Sequence, residues 1–193
     1  MILNRREATA AMLQTRGDAL VVASLGNPTY DVAAAGDSPA NFYLWGAMGG
    51  AAMMGLGLAL AQPTRRVVVF VGDGEMLMGL GSLATIACEK PANLAIVALD
   101  NEHYAETGMQ RSHTGRGIDL AAIAQAAGFT TVASARTPEE LTALHRLPYE
   151  AAGPVFINLK VSAAPEAASL PARDGPYLRS RFREHLLGAQ AHA

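Results

Sequence analysis

Two apolar runs that break off abruptly into oxygen-bearing side chains are the residues best suited to chemistry. Val67-Val68-Val69-Phe70-Val71 ends in Gly72-Asp73-Gly74-Glu75, and Ala95-Ile96-Val97-Ala98-Leu99 ends in Asp100-Asn101-Glu102. Carboxylate and amide oxygens are hard donors that suit Mg²⁺ or Ca²⁺ and suit zinc poorly. A cation held between Asp73 and Asn101 would in turn hold a phosphate, with a nearby backbone carbonyl as a further ligand. The competing phosphate motifs fail. A dinucleotide turn needs glycine at position 77, where Leu77 stands, and an acidic side chain within the turn repels a pyrophosphate unless a metal intervenes. No Gly-Lys-Ser or Gly-Lys-Thr follows, which excludes a P-loop. The N–H groups of a helix starting near Glu75 would add to phosphate binding.

The second run opens into a long polar stretch, residues 102–117, of a length that is commonly functional inside a compact domain. His103 and His113 lie in it and suit proton donation or contact with an anion; the plain alternative is a solvated surface histidine. Arg111 and Arg116 suit a sulfonate, phosphonate or carboxylate, and equally an ordinary solvated face. His145, His185 and His192 show no ligand spacing and receive no role. Cys88, on an apolar helix, reads as a small buried hydrophobe.

Both runs read as buried parallel strands delivering polar groups at their carboxyl ends, the edge at which open α/β sheets bind ligands. Further strands are expected over residues 19–24, 130–133 and 155–160. Helices are expected over 4–15 with Asn4 as cap, 76–88, 118–127, and 138–150 with Thr137 as cap. The turn Leu25-Gly26-Asn27-Pro28-Thr29 follows the first strand and is a site candidate by the same edge rule. Asn41 to Trp45 leads into the Gly-rich segment 46–61, which is too short and too weakly apolar to span a bilayer. Its apolarity all round implies burial on every side, and its glycines imply close approach to a neighbour. The alternation predicts an α/β, doubly wound, mostly parallel sheet of five to six strands flanked by helices.

With 193 residues, half of them hydrophobic, the chain fits one domain with a sizeable core. Residues 1–162 carry that domain. Residues 163–193 shift to Ala, Pro and Ser and then to a basic segment, 179–185, and read as a tail with a short helix. The net charge of -2 and the lack of basic runs point away from nucleic acid and anionic membranes. One cysteine, no leader-like segment and no spanning stretch make a cytoplasmic protein the expectation.

Gly72-Asp73-Gly74, with Asn101 following Asp73 by 28 positions (101 less 73), resembles the cofactor motif of the thiamine-diphosphate-dependent enzymes. Asp100 stands where that family usually has Asn. The resemblance implies that Asp73 and Asn101 side chains and the His103 backbone carbonyl ligate Mg²⁺. It also implies that Gly26, Asn27, Gly46, Gly72, Gly74, Glu75, His103 and Tyr104 adjoin the cofactor. Trp45-Gly46-Ala47-Met48-Gly49 is similar to the segment whose apolar side chain wedges between the two cofactor rings. Taken alone Met48 is core filler, and its place upstream of the Gly-Asp-Gly strand favours the wedge.

Gly26-Asn27-Pro28-Thr29, Asn41-Phe42-Tyr43, Leu77 to Ile86, Lys90-Pro91-Ala92-Asn93 and Thr107-Gly108-Met109-Gln110 look like the diphosphate-binding part of sulfopyruvate and phosphonopyruvate decarboxylases. Such enzymes remove carbon dioxide from a small 2-oxo acid and release an aldehyde. The resemblance further implies a glutamate acting on the aminopyrimidine ring from a different domain. Glu75, Glu102 and Glu106 fall on the diphosphate side, so a second subunit with a pyrimidine-binding domain is expected, forming a hetero-oligomer. A carboligase or 2-oxo acid oxidoreductase subunit shares the same half-site, and a non-catalytic cofactor-binding homologue is the reading from another class. The lack of cysteine clusters argues against an iron-sulfur cluster in this chain.

Overall fold

The computed structural model describes residues 2–192; the side chain of His192, which carries no expected role, lies outside the described part. One sheet contains β1 (Leu20–Ala23), β2 (Asn41–Tyr43), β3 (Val67–Gly72) and β4 (Leu94–Asp100). After a small antiparallel hairpin of β5 (His103–Tyr104) and β6 (Gln110–Arg111), it gains β7 (Thr131–Ala135) and β8 (Val155–Lys160). The order is β2-β1-β3-β4-β8-β7, and every pairing in it is parallel. The expected doubly wound α/β class is therefore observed. β2 is the strand that the sequence presents only as a lead-in, because three residues at a sheet edge carry too little alternation to read.

The helices are α1 (Arg5–Leu13), α2 (Asn27–Ala34), α3 (Ala51–Ala61), α4 (Asp73–Met78), α5 (Ser82–Glu89), α6 (Leu120–Ala127), α7 (Pro138–Leu144), α8 (Leu147–Glu150) and α9 (Gly175–Leu187). Alternate residues of the central strands serve two separate cores. Val67, Val69 and Val71 pack with α3, α5 and α6, whereas Val68 and Phe70 pack with α1 and α7. Local chemistry sets several helix starts. Asn4 Oδ1 accepts from the N–H groups of Arg6 and Glu7, and Thr137 forms a capping box with Glu140.

Four expectations are corrected. The helix over 76–88 is two helices, because Gly79 packs directly on the backbone of Gly49 and a Cβ on Gly49 would lie 2.9 Å from the Gly79 nitrogen. The helix over 138–150 breaks before the Leu147-Pro148 start of α8. The Gly-rich helix begins only at Ala51 and is not buried all round. Its inner face seats Gly55 against Val69 with no room for a Cβ, as the glycine content anticipates, while Met53, Met54 and Leu60 are 40–52% exposed. Cys88 is exposed rather than buried.

Beyond β8, residues 163–174 carry no helix or strand, and α9 then returns to the β2 edge. Phe182 packs on Phe42 with ring centroids 5.4 Å apart, and Arg181 pairs with Asp37 at 2.6 Å. No helix among the described residues is long and apolar enough to cross a membrane.

Candidate functional site

The strand order places the site. From β1 the chain moves outward to β2, then crosses back to β3 on the other side of β1, so the loops after β1 and β3 diverge at the carboxyl edge. The pocket at that divergence takes Gly26 and Asn27 from the turn into α2, Gly72 to Glu75 from the end of β3 and the start of α4, and Asn101, His103 and Tyr104 from the turn after β4 and the hairpin. Met48 reaches the same wall. Gly46 and His113 are both exposed and do not line it, and neither do the exposed Arg111 and Arg116.

Asp73 is the most telling side chain of this pocket. It is 1% exposed, and among the described residues no lysine, arginine or histidine forms an ion pair with it. Ser112 Oγ donates to Asp73 Oδ2, and Thr114 Oγ1 stands 3.1 Å from the same oxygen. Burial pushes the Asp73 carboxyl up, the hydroxyl of Ser112 works against that, and the charge of Asp100 adds to it. A buried carboxylate without an ion-pair partner is disfavoured unless a cation or a proton compensates it. Beside it, Asn101 is 8% exposed and its Oδ1 accepts from the His103 N–H at 3.0 Å, which leaves a second lone pair. No group of three or more His, Cys, Asp or Glu side chains converges on a metal among the described residues. The donors that do converge are one carboxylate and one amide oxygen, a set that fits Mg²⁺ bridging to phosphate oxygens. At Gly74 a Cβ would collide with the Tyr104 ring, so the glycine is what lets the hairpin close over the Gly-Asp-Gly turn.

Asp100, fully buried, is completed differently. Its Oδ2 pairs with Lys160 Nζ at 2.7 Å and accepts from Asn158 Nδ2 at 3.1 Å, and its Oδ1 accepts from Thr114 Oγ1 at 2.7 Å. Lys160 also reaches Glu102 Oε1 at 2.9 Å. Burial works against the Lys160 charge, and the two carboxylates more than restore it, so its ammonium is held above its ordinary range.

Glu75 connects the metal turn to the Met48 loop. Buried at 5% exposure, its Oε1 accepts from the backbone N–H groups of Gly49 and Ala51, both at 3.1 Å. Ala47 at φ 61° and Gly49 at φ 88° give this loop a shape that the carboxylate stabilises on either side of Met48. Met48 itself is 37% exposed.

Several residues here have no counterpart among the expected site residues. Ser112 and Thr114 flank His113, and it is these two, both buried, that return to Asp73. Asn158 and Lys160 are polar residues two apart in an otherwise apolar strand, and that alternation is the signal they offer. Arg5 lines the pocket, buried against Asp31, which Arg6 also contacts at 3.2 Å. Two arginines in the first turn of a helix oppose its dipole, a hint that they answer a carboxylate elsewhere.

Comparison with known proteins agrees with this geometry. Residues 25–159 match the thiamine pyrophosphate enzyme, C-terminal TPP binding domain. The chain is 41% identical over 191 residues to sulfopyruvate decarboxylase subunit beta of Methanothermobacter thermautotrophicus, covering 98% of both chains. It is 39% identical to phosphonopyruvate decarboxylase of Streptomyces hygroscopicus over 86% of its own length and 41% of that protein. A putative thiamin diphosphate-dependent enzyme from Mycobacterium smegmatis superposes with a TM-score of 0.72 at 22% identity, over 85% of this chain and 32% of that one, which is a likeness of fold. The turn around Asp73, the strand order beneath it and the matched residues lead to one conclusion: the chain belongs to the thiamine pyrophosphate enzymes, through their C-terminal TPP-binding domain.

Proposed function

We propose that this chain is the diphosphate-binding subunit of a thiamine-diphosphate- and Mg²⁺-dependent 2-oxo acid decarboxylase whose active site is completed by a second chain. The observation that carries the reading is Asp73: a buried carboxylate with no cationic partner, beside the Asn101 amide, at the switch point of the sheet. In this reading Asp73, Asn101 and the His103 carbonyl hold Mg²⁺, and Gly26, Asn27, Gly46, Gly72, Gly74 and Tyr104 adjoin the diphosphate. Met48 orients the cofactor rings, and Glu75 stabilises the loop that presents it. When bound, the cofactor supplies the electron sink that loss of carbon dioxide from a 2-oxo acid requires.

The His103 ring, in the pocket wall, suits proton donation or contact with a substrate anion, and His113, Arg111 and Arg116 reach the substrate only if the polar loop faces it in the assembly. The relative from Methanothermobacter is itself a beta subunit. Exposed Met48, Met53, Met54, Met78 and Met109 support a partner surface here, since adaptable methionine side chains suit such contacts. That partner carries the glutamate and the pyrimidine-binding domain. Residues 1–162 form the cofactor half-site, residues 163–193 are an appended tail, and the setting is cytoplasmic.

Calorimetry with thiamine diphosphate and Mg²⁺, with and without the partner subunit, tests the reading. Binding by this chain is expected to require Mg²⁺, and carbon dioxide release from sulfopyruvate or phosphonopyruvate to require both chains. Cofactor binding by a reconstituted pair that releases carbon dioxide from no 2-oxo acid would overturn the decarboxylase assignment.

A further inference from the structure

One ammonium contacts both neighbours of the proposed metal ligand Asn101. Lys160 Nζ lies 2.7 Å from Asp100 Oδ2 and 2.9 Å from Glu102 Oε1, so it ties together the residues immediately before and after position 101. The turn they flank is under constraint. Glu102 has φ 64°, a left-handed conformation that a residue with a Cβ rarely adopts. Its N–H reaches Asp100 Oδ1 at 3.2 Å, and the next N–H, of His103, reaches Asn101 Oδ1 at 3.0 Å. The same Lys160 addresses a charge problem. Thr114 Oγ1 has one proton and lies between two buried carboxylates, 2.7 Å from Asp100 and 3.1 Å from Asp73, so the nearer one takes it. Two uncompensated carboxylates around one hydroxyl would repel, and the cation at Asp100 leaves only Asp73 in need of one.

We propose that Lys160 is a positioning residue for the cation site: it neutralises Asp100 and clamps Glu102, and so holds the Asp100-Asn101-Glu102-His103 turn in the shape that presents its oxygens to Mg²⁺. This rests on the cofactor reading above. It also accounts for the acid at position 100, where an amide would need no cation.

The test uses the full chain as wild type, Lys160→Met, Asp100→Asn and the double variant. Thiamine diphosphate binding is followed by calorimetry as Mg²⁺ is raised, and amide hydrogen exchange of Glu102 and His103 is followed without metal. Lys160→Met is expected to raise the Mg²⁺ requirement on the order of 10- to 100-fold, the usual effect of losing a group that orients a metal ligand. The double variant is expected to recover most of that loss, because a neutral amide at 100 needs no ammonium. Exchange at Glu102 and His103 is expected to accelerate in Lys160→Met and to slow again in the double variant. A Lys160→Met chain with wild-type Mg²⁺ dependence, or a double variant as impaired as the single one, would overturn the proposal. If the wild type bound no cofactor, the cofactor reading would fall, and the exchange result alone would decide whether Lys160 holds the turn.

Discussion

Asp73 directly follows β3 and Asp100 ends its parallel neighbour β4; they lie on either side of the Thr114 hydroxyl and are both hidden from solvent, yet only Asp100 has a cation of its own chain against it. β8 makes the difference. It runs beside β4 and brings Asn158 and Lys160 to Asp100, whereas β3 is flanked on its other side by β1, whose end leads into Gly26 and Asn27. One strand end is therefore electrostatically closed within the chain and the other is open to a ligand. A protein that only needed a stable sheet would close both, because an unpaired buried charge lowers stability. The asymmetry is what supports the cation site proposed at Asp73.

The largest expected effect comes from removing the open end. Asp73→Ala should cut Mg²⁺-dependent binding of thiamine diphosphate by more than the roughly 10- to 100-fold typical of outer-shell changes, because it removes a ligand outright. Without metal, the variant should melt no lower than the wild type, since the carboxylate it loses lacks a cation. A marked loss of melting temperature would mean that Asp73 is a structural residue and that the comparison is misdrawn.

A smaller effect is expected where the two ends meet. Thr114→Val keeps the side-chain shape and deletes the donor to Asp100, a bond to a charged acceptor that contributes about 1.5–3 kcal/mol. Chemical denaturation should register that loss, and cofactor binding should weaken less than in Asp73→Ala. Equal damage to binding by both variants would place the bridge, rather than the open carboxylate, at the centre of the site.

Asp37, half exposed at the β2 edge, is the solvent-side counterpart. Partial burial pushes its carboxyl up, but hydrogen bonds from Arg181 and Tyr43 more than offset this and leave it below the usual carboxylate range. A group held low when folded stabilises above its ordinary pKa of 3.8 and loses that contribution as pH falls through the lower folded value. Protection of α9 should therefore decline in acid below about pH 4, and Asp37→Asn should remove that pH dependence. Proteolysis or hydrogen exchange of residues 175–187 would read it, and an unchanged acid response in the variant would assign the effect to other carboxylates.

Much of the cofactor edge was legible in the residues because it is local. An apolar β-branched run that stops at Asp73, and another that stops at Asn101, advertise strand ends whatever surrounds them. The Asn4 and Thr137 caps are equally local, each completed within four residues. The helix break at Gly79 was not legible, since its cause is the backbone of Gly49, thirty positions away and on a different element. The same holds for the outer face of α3. An apolar helix reads as buried, and Met53, Met54 and Leu60 are nonetheless exposed on this chain.

By itself, then, the sequence determined the parallel α/β class, the two polar strand ends and the oxygen character of the site, because periodicity and strand termini depend on neighbours along the chain. Only the tertiary structure decided which buried carboxylate is paired with a cation of the chain and which is not. That choice depends on Lys160 arriving from β8, on Ser112 and Thr114 folding back over Asp73, and on Glu75 reaching the Met48 loop. Charge compensation acts through space at a few ångströms, and residues 24 to 60 positions apart meet at that range only once the sheet has assembled.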